Sequence, residues 1–285
     1  MTDRIKLESG EFGPRAVVVA DWSDDMTKFL VDSQIAELEL NQGKGWTGSD
    51  LKFLVELPQL RSLKILDFKI SSVEPIHFLH ELRTLDVMTY CKTEIRFLAF
   101  PRLENCGLEW RPKATSLFDC MTLKELFVNR YDGKNTDSFS KLVNLESLAI
   151  LNAQINDLYG LSALMKLRHL RLANLKRLAS LVGIERLTSL EELEVHTCRR
   201  IRSIAEIGYL PRLRKLHLSN DGDIDSLKPL AKLAQLESIL FYESTNIVDG
   251  DLSHLLNQKN LASVSFQNRS HYSHRREQFG PDRKG

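Results

Sequence analysis

An α/β solenoid of short parallel strands is the fold class this 285-residue sequence predicts, and three observations predict it. The first is a recurring phrase: a leucine-type residue, a second three places later and a third two places after that. Clear copies are Leu60/Leu63/Ile65, Leu82/Leu85/Val87, Leu145/Leu148/Ile150, Leu167/Leu170/Leu172, Leu190/Leu193/Val195, Leu213/Leu216/Leu218 and Leu236/Ile239/Phe241. Looser copies are Ile35/Leu38/Leu40, Leu103/Cys106/Leu108, Leu123/Leu126/Val128 and Leu261/Val264/Phe266. The second is the spacing of the middle anchors, 20 to 25 residues, which belongs to stacked-repeat proteins. The third is alternation inside the phrase, which places the anchors on one side of a short strand and the residues between them on the other. One such unit cannot bury its own apolar side, so stability comes from stacking.

Residues 1–34 precede the first repeat. Residues 16–20 (Ala-Val-Val-Val-Ala) read as a strand, and Asp24 to Val31 as a short helix with acids in its first turn. A solenoid needs an end cap with a polar outer side, and this segment is assigned that role. Residues 35–268 form the solenoid. Behind each strand the chain returns through anchors spaced three apart, such as Ile70, Val73, Ile76 and Leu79, or Ile155, Leu158, Leu161 and Leu164. That spacing suits 3₁₀ or extended returns, with room for a helical turn in the longer repeat carrying Ile201, Ile204, Ile207 and Leu210. Residues 269–285, with five Arg/Lys against two acids, read as a basic C-terminal cap and tail, frayed from Gly280 to Gly285.

The pattern resembles the leucine-rich-repeat superfamily, in particular the 22-residue class found in bacterial internalins and in a regulatory subunit of protein phosphatase 1. That resemblance implies a horseshoe whose concave face carries about eleven short parallel strands, with 3₁₀, short-helix or extended convex segments. Proteins of this class carry Asn three places after the third anchor, where its amide ladders along the loops. Here those positions hold Phe68, Tyr90, Arg111, Tyr131, Ala153, Leu175, Cys198 and Asp221, so the loop spine is packed differently.

Composition narrows the function. A formal net charge of +1 gives no support for nucleic-acid or anionic-membrane binding. No apolar run approaches the roughly 18 residues needed to span a bilayer, and no secretory signal is visible at the start. The four cysteines form no Cys-x-x-Cys pair, and Cys106 fills a leucine slot. Structural thiols in a reducing, cytoplasmic protein are therefore expected.

Three motifs invite chemistry and are better read structurally. Gly43-Lys44-Gly45-Trp46-Thr47-Gly48 matches a dinucleotide fingerprint, yet the flanking strands fit the repeat and Trp46 would crowd the backbone approach the second glycine serves. Asp221-Gly222-Asp223-Ile224-Asp225 resembles the start of a calcium loop but has Ser226 and Lys232 where Gly and Glu are required. His169, His196 and His217 lie in successive repeats but in different columns of the strand, so no metal or catalytic cluster is assigned. No cofactor is implied.

The outward strand positions carry the functional expectation. Glu37, Glu39, Asp67, Asp86 and Glu109 make the N-terminal third acidic. Leu66, Met88, Trp110, Phe127 and Leu151 make the middle apolar, with Tyr90, Arg130 and Tyr131 at its rim. Aromatic residues with Arg dominate interface energetics. The expected partner-binding set is thus Trp110, Phe127, Arg130, Tyr131, Met88, Asp86, Glu109 and Leu151, with Asp86 and Glu109 steering a basic protein. The expected function is non-enzymatic protein binding. Alternatives are an immunity-type or regulatory inhibitor of a toxin or enzyme, an enzyme or effector for which no catalytic domain remains, and a nucleic-acid sensor acting through the tail.

Overall fold

The computed structural model describes residues 3–279, which fall into two compact units, residues up to Val128 and residues from Asn129 onward. The expected fraying from Gly280 to Gly285 lies outside the described residues. In the first unit, β1 (Ile5–Ser9) pairs antiparallel with β2 (Pro14–Val18), and α1 (Asp24–Asp32) follows. The repeat phrases then form β3 (Glu37–Asn41), β4 (Ser62–Leu66), β5 (Thr84–Met88), β6 (Asn105–Glu109) and β7 (Glu125–Asn129). β2 adds in parallel to β3, and β3 through β6 continue in parallel, each beside its sequence neighbour. Sequence reasoning missed β1: its Ile5-Lys6-Leu7-Glu8 alternation carries only two apolar residues and lies outside the repeat, and Leu7 stays exposed.

In the second unit the phrases form β8 (Ser147–Leu151), β9 (His169–Ala173), β10 (Glu192–His196), β11 (Lys215–Ser219), β13 (Ser238–Tyr242) and β15 (Ser263–Phe266). These too run in parallel in chain order. A separate two-stranded ladder joins β12 (Asp223–Ile224) to β14 (Asn246–Ile247). Register is anchor on anchor: Leu170, Leu193, Leu216 and Ile239 stand side by side, as do Leu38, Leu63, Leu85 and Cys106. Every one of these side chains is buried. The returns are 3₁₀ turns such as Glu74–Phe78, Asp137–Lys141 and Tyr159–Ala163, as the three-residue spacing requires.

The second unit turns out of each strand by one device. Arg130, Asn152, Asn174, Thr197, Asn220 and Glu243, each two places after a third anchor, have φ between 55° and 59°. In that left-handed conformation Arg130, Asn152, Asn174 and Thr197 still donate their N–H to the last carbonyl of the next strand, at 2.8–2.9 Å. Asparagine suits the position because its short polar side chain tolerates the left-handed region. Its amides also ladder: Asn174 donates to Asn152 at 2.5 Å, and Asn152 to Asn129 at 2.6 Å. These are exposed side-chain pairs, with Asn152 and Asn174 one place and Asn129 two places before the position the resemblance gives, so they do not replace the loop spine.

Thr197 is the misfit in that column, since a β-branched side chain is strained at positive φ. Thr197→Asn is expected to stabilise the chain by about 1 kcal/mol, which raises the melting midpoint by a few degrees in a circular-dichroism melt. An unchanged or lower midpoint would show that no strain is stored there.

The loop spine one place further on is buried in this unit: Ala153, Leu175, Cys198 and Asp221 are inaccessible. The Asp221 carboxylate accepts the Cys198 N–H at 2.8 Å, while the Asp221 N–H donates to the Thr245 hydroxyl at 3.1 Å. A short polar ladder of mixed residues thus takes the place of a uniform one. All four cysteines are free, and burial pushes the Cys120 thiol up to about 11 and Cys198 up to about 12. No helix among the described residues is long and apolar enough to cross a membrane.

Candidate functional site

The outward strand face of the first unit differs from the expected one, because most of its acids are covered. Glu37 is fully buried, where the β1–β2 hairpin folds over it: Arg15 pairs with its carboxylate at 3.2 Å, and the Phe12 N–H donates to it. Glu39 is also buried and bonds Asn41 at 3.0 Å and Lys44 at 3.1 Å. Burial alone would raise its pKa, but those two donors outweigh burial and hold the carboxyl below its ordinary range. Asp67 turns inward to cap the Lys69 N–H at 2.8 Å. Glu109 is buried at the end of β6, beside an Arg111 side chain that folds in to bond the Thr89 hydroxyl and carbonyl at 3.2 and 3.3 Å. Of the five acids expected on this face only Asp86 stays accessible, and it pairs with Lys64 of β4 at 3.4 Å.

The exposed remainder is apolar. Leu66 and Met88 end β4 and β5 as direct cross-strand partners. Two places beyond them the rings of Phe68 and Tyr90 stack at 4.5 Å, although 41% and 53% of these residues is exposed. The two rings thus form an apolar edge that stays open to solvent. Beside this edge a cavity of about 360 Å³ opens on the strand face, walled by Leu66, Met88 and Phe127, with Lys64, Asp86 and Gly107 across it. Gly107 makes the room. A Cβ there would lie 2.3 Å from the Asp86 carboxylate and 3.2 Å from the Met88 methyl, so both side chains lean into the space a larger residue would fill. Trp110 is half-buried with its ring 5.7 Å from that of Phe118.

The residues expected to bind a partner are therefore divided. Met88, Asp86, Phe127 and Trp110 lie in the first unit with at least part of each side chain accessible. Glu109 is in the same unit but inward. Arg130, Tyr131 and Leu151 belong to the second unit. There Arg130 is exposed, Leu151 is half-buried and Tyr131 is only 6% exposed. The expected rim position of Tyr131 is corrected for a local reason. It occupies a loop-spine site, so its ring turns in against Phe139 at 5.2 Å, and Gly133 packs on its outer edge. Sequence reasoning missed Gly107 and the Phe68–Tyr90 stack. The signal for the first was a lone glycine in the outward column between Asp86 and Phe127.

The strand face of the second unit is a polar network. Glu194 accepts from Arg171 at 3.4 Å and from His196 at 3.1 Å, and His196 bonds Ser219 through its other nitrogen. A Glu–His–Ser chain of this kind has the elements of a nucleophile relay, but Ser219 is buried, so the chain serves as a cross-strand tie. Among the described residues no group of three or more His, Cys, Asp or Glu side chains is placed to hold a metal ion.

No protein-family model and no curated protein matches the sequence. Among solved structures the chain is similar to an internalin (inlF) of Listeria monocytogenes, with a TM-score of 0.67 and 19% identity. That alignment covers 86% of this chain and 71% of the internalin. It is also similar to internalin C2 of the same organism, with a TM-score of 0.53 and 20% identity, over 66% of this chain and 83% of that one. At these identities the likeness speaks for the fold.

Proposed function

Because the chain has the leucine-rich-repeat fold, we propose that it is a non-enzymatic protein-binding solenoid whose partner docks on the outward strand face of the first unit, around Met88. The observation that carries this reading is the exposed apolar edge of Leu66, Phe68, Met88 and Tyr90 beside the cavity over Gly107. A strand ladder holds these side chains in place before binding, so association forfeits little loop or side-chain freedom. Asp86 is paired with Lys64 across the patch at 3.4 Å, so the charges balance there and the surface suits a partner offering mainly an apolar anchor. Four free thiols, three of them buried, support a reducing compartment such as the cytoplasm.

The test is affinity capture from the native lysate with wild type beside Met88→Ala/Tyr90→Ala/Trp110→Ala, and circular dichroism to show that the variant folds. Truncating central interface side chains costs about 2 kcal/mol each where they are hot spots, so captured partner should fall at least tenfold. Equal capture by the folded variant would remove this surface as the docking site.

A further inference from the structure

The first unit begins with a strand whose outer edge is open. β1 pairs antiparallel with β2 and with no other strand among the described residues. The phase of that ladder follows from the Val19 N–H, which donates to the Arg4 carbonyl at 2.9 Å. Bonded and non-bonded positions alternate along an antiparallel pair. Lys6 and Glu8, opposite Val17 and Arg15, therefore turn their peptide groups toward β2. Ile5, Leu7 and Ser9 turn theirs outward, where no described residue bonds them.

A free row of N–H and C=O groups is a template for another strand, and proteins ordinarily cover or blunt it. The second unit does so at its last strand. There the turn Arg276–Phe279 folds onto β15, with Phe279 buried and its ring 5.8 Å from that of Phe266. β1 instead carries an apolar side chain in water. Leu7 is 54% exposed, although it shares a side of the ladder with its buried opposite, Ala16. On the other side stand Lys6 and Glu8, both exposed, two places apart and opposite in sign.

We infer that the outer edge of β1 binds β1 of a second copy of this chain, antiparallel and centred on Leu7. Leu7 then stands opposite Leu7, Ile5 opposite Ser9 and Lys6 opposite Glu8. The outward peptide groups of Ile5, Leu7 and Ser9 fall at the bonded positions, so all three find partners. Lys6 and Glu8 fall at the non-bonded positions, where opposite side chains come closest, and two-fold symmetry forms their pair twice. Leu7 is covered by its own copy. Sliding the strands by two residues would set Lys6 against Lys6 or Glu8 against Glu8, and parallel in-register pairing would do both. The charges thus select one register of one partner, and such an isologous contact closes at a dimer. Glu8 also pairs with Lys44 of its own chain at 3.1 Å, and its carboxylate has acceptor sites for both cations. This inference stands apart from the docking surface around Met88.

Sedimentation equilibrium of the full chain from about 10 to about 500 µM tests it, because a single strand pair makes a small, weak interface. A reversible monomer–dimer equilibrium that goes no further is expected. Leu7→Pro removes an outward N–H while sparing the ladder to β2, and should leave only monomer. Lys6→Glu and Glu8→Lys each set like charges opposite one another, so each should raise the dimer dissociation constant at least tenfold. Mixed together, these two variants place two acids against two bases and should associate at least as well as wild type. Circular dichroism checks that each variant folds, and the mixing experiment decides the matter even if the proline variant loses β1. The Met88→Ala/Tyr90→Ala/Trp110→Ala chain should dimerise like wild type, which separates this edge from the other surface. A wild type that stays monomeric throughout, a dimer unaffected by Leu7→Pro, or charge variants that ignore each other when mixed would each overturn the assignment. So would assemblies that keep growing beyond the dimer.

Discussion

Adding one methyl group at Gly160 is expected to destabilise the second unit by about 3 kcal/mol or more, a large loss for so small a change. Gly160 lies in the return turn Tyr159–Ala163, packed on the preceding turn Asp137–Lys141. A Cβ built there would stand 1.9 Å from the Thr136 carbonyl oxygen and 2.7 Å from the Asp137 nitrogen. Both are backbone atoms and cannot swing aside, and the Gly160 N–H is itself bonded to the Thr136 hydroxyl at 3.1 Å. Relief would require the two turns to part, and in a stack each repeat leans only on its neighbours. The equivalent position of the next repeat is Gly183, where a Cβ would lie 2.4 Å from the Leu158 carbonyl oxygen, so the close approach is a property of the stacking. Gly208→Ala is the control: its nearest neighbour would be the Pro229 carbonyl oxygen at 3.0 Å, and a loss of no more than about 1 kcal/mol is expected. Urea unfolding followed by circular dichroism measures both. A Gly160→Ala chain within 1 kcal/mol of wild type would show that the turns part at little cost.

Asp221→Asn should act in the opposite direction, and only above acidic pH. Burial pushes the Asp221 carboxyl up to about 7, against the pull of the Cys198 N–H that bonds one of its oxygens, while the other oxygen has no partner. In the unfolded chain the same group ionises near 3.9. Between those values the folded chain binds the extra proton, so stability falls as pH rises from about 4 to about 7 and then levels off. At up to 1.36 kcal/mol per unit, the native chain gives up roughly 4 kcal/mol at most over that range. Asparagine keeps an acceptor for the Cys198 N–H and cannot ionise. The variant is therefore expected to be stabilised by about 2 kcal/mol or more at pH 8 and to match wild type near pH 4. Chemical denaturation at both pH values decides it. A stability difference that does not change with pH would mean that Asp221 does not titrate in this window.

Legibility of the chain varied residue by residue. The anchors were readable because each is set by its own strand: Leu193 must point where Leu170 and Leu216 point, or the repeat has no core. The three-residue spacing of Ile155, Leu158, Leu161 and Leu164 likewise announced 3₁₀ returns. Met88 and Phe127 were readable as outward for the same reason. Glu37, Glu109 and Tyr131 were not. Alternation assigns a residue to a side of the strand, but what covers that side is set outside the strand: the β1–β2 hairpin for Glu37 and the inward turn of the loop spine for Tyr131.

By itself, then, the sequence determined the repeat, its register and the identity of the core, because those depend on the local period of apolar residues and the need to bury them against a like neighbour. Only the tertiary structure decided which outward groups stay in water, where Gly107 opens a cavity, and that the glycine-spaced loop closes over Trp46. Several of those outcomes depend on contacts between neighbouring strands, such as Arg15 with Glu37 or Asp86 beside Gly107, where distance and cover are set by the stack rather than by any one repeat.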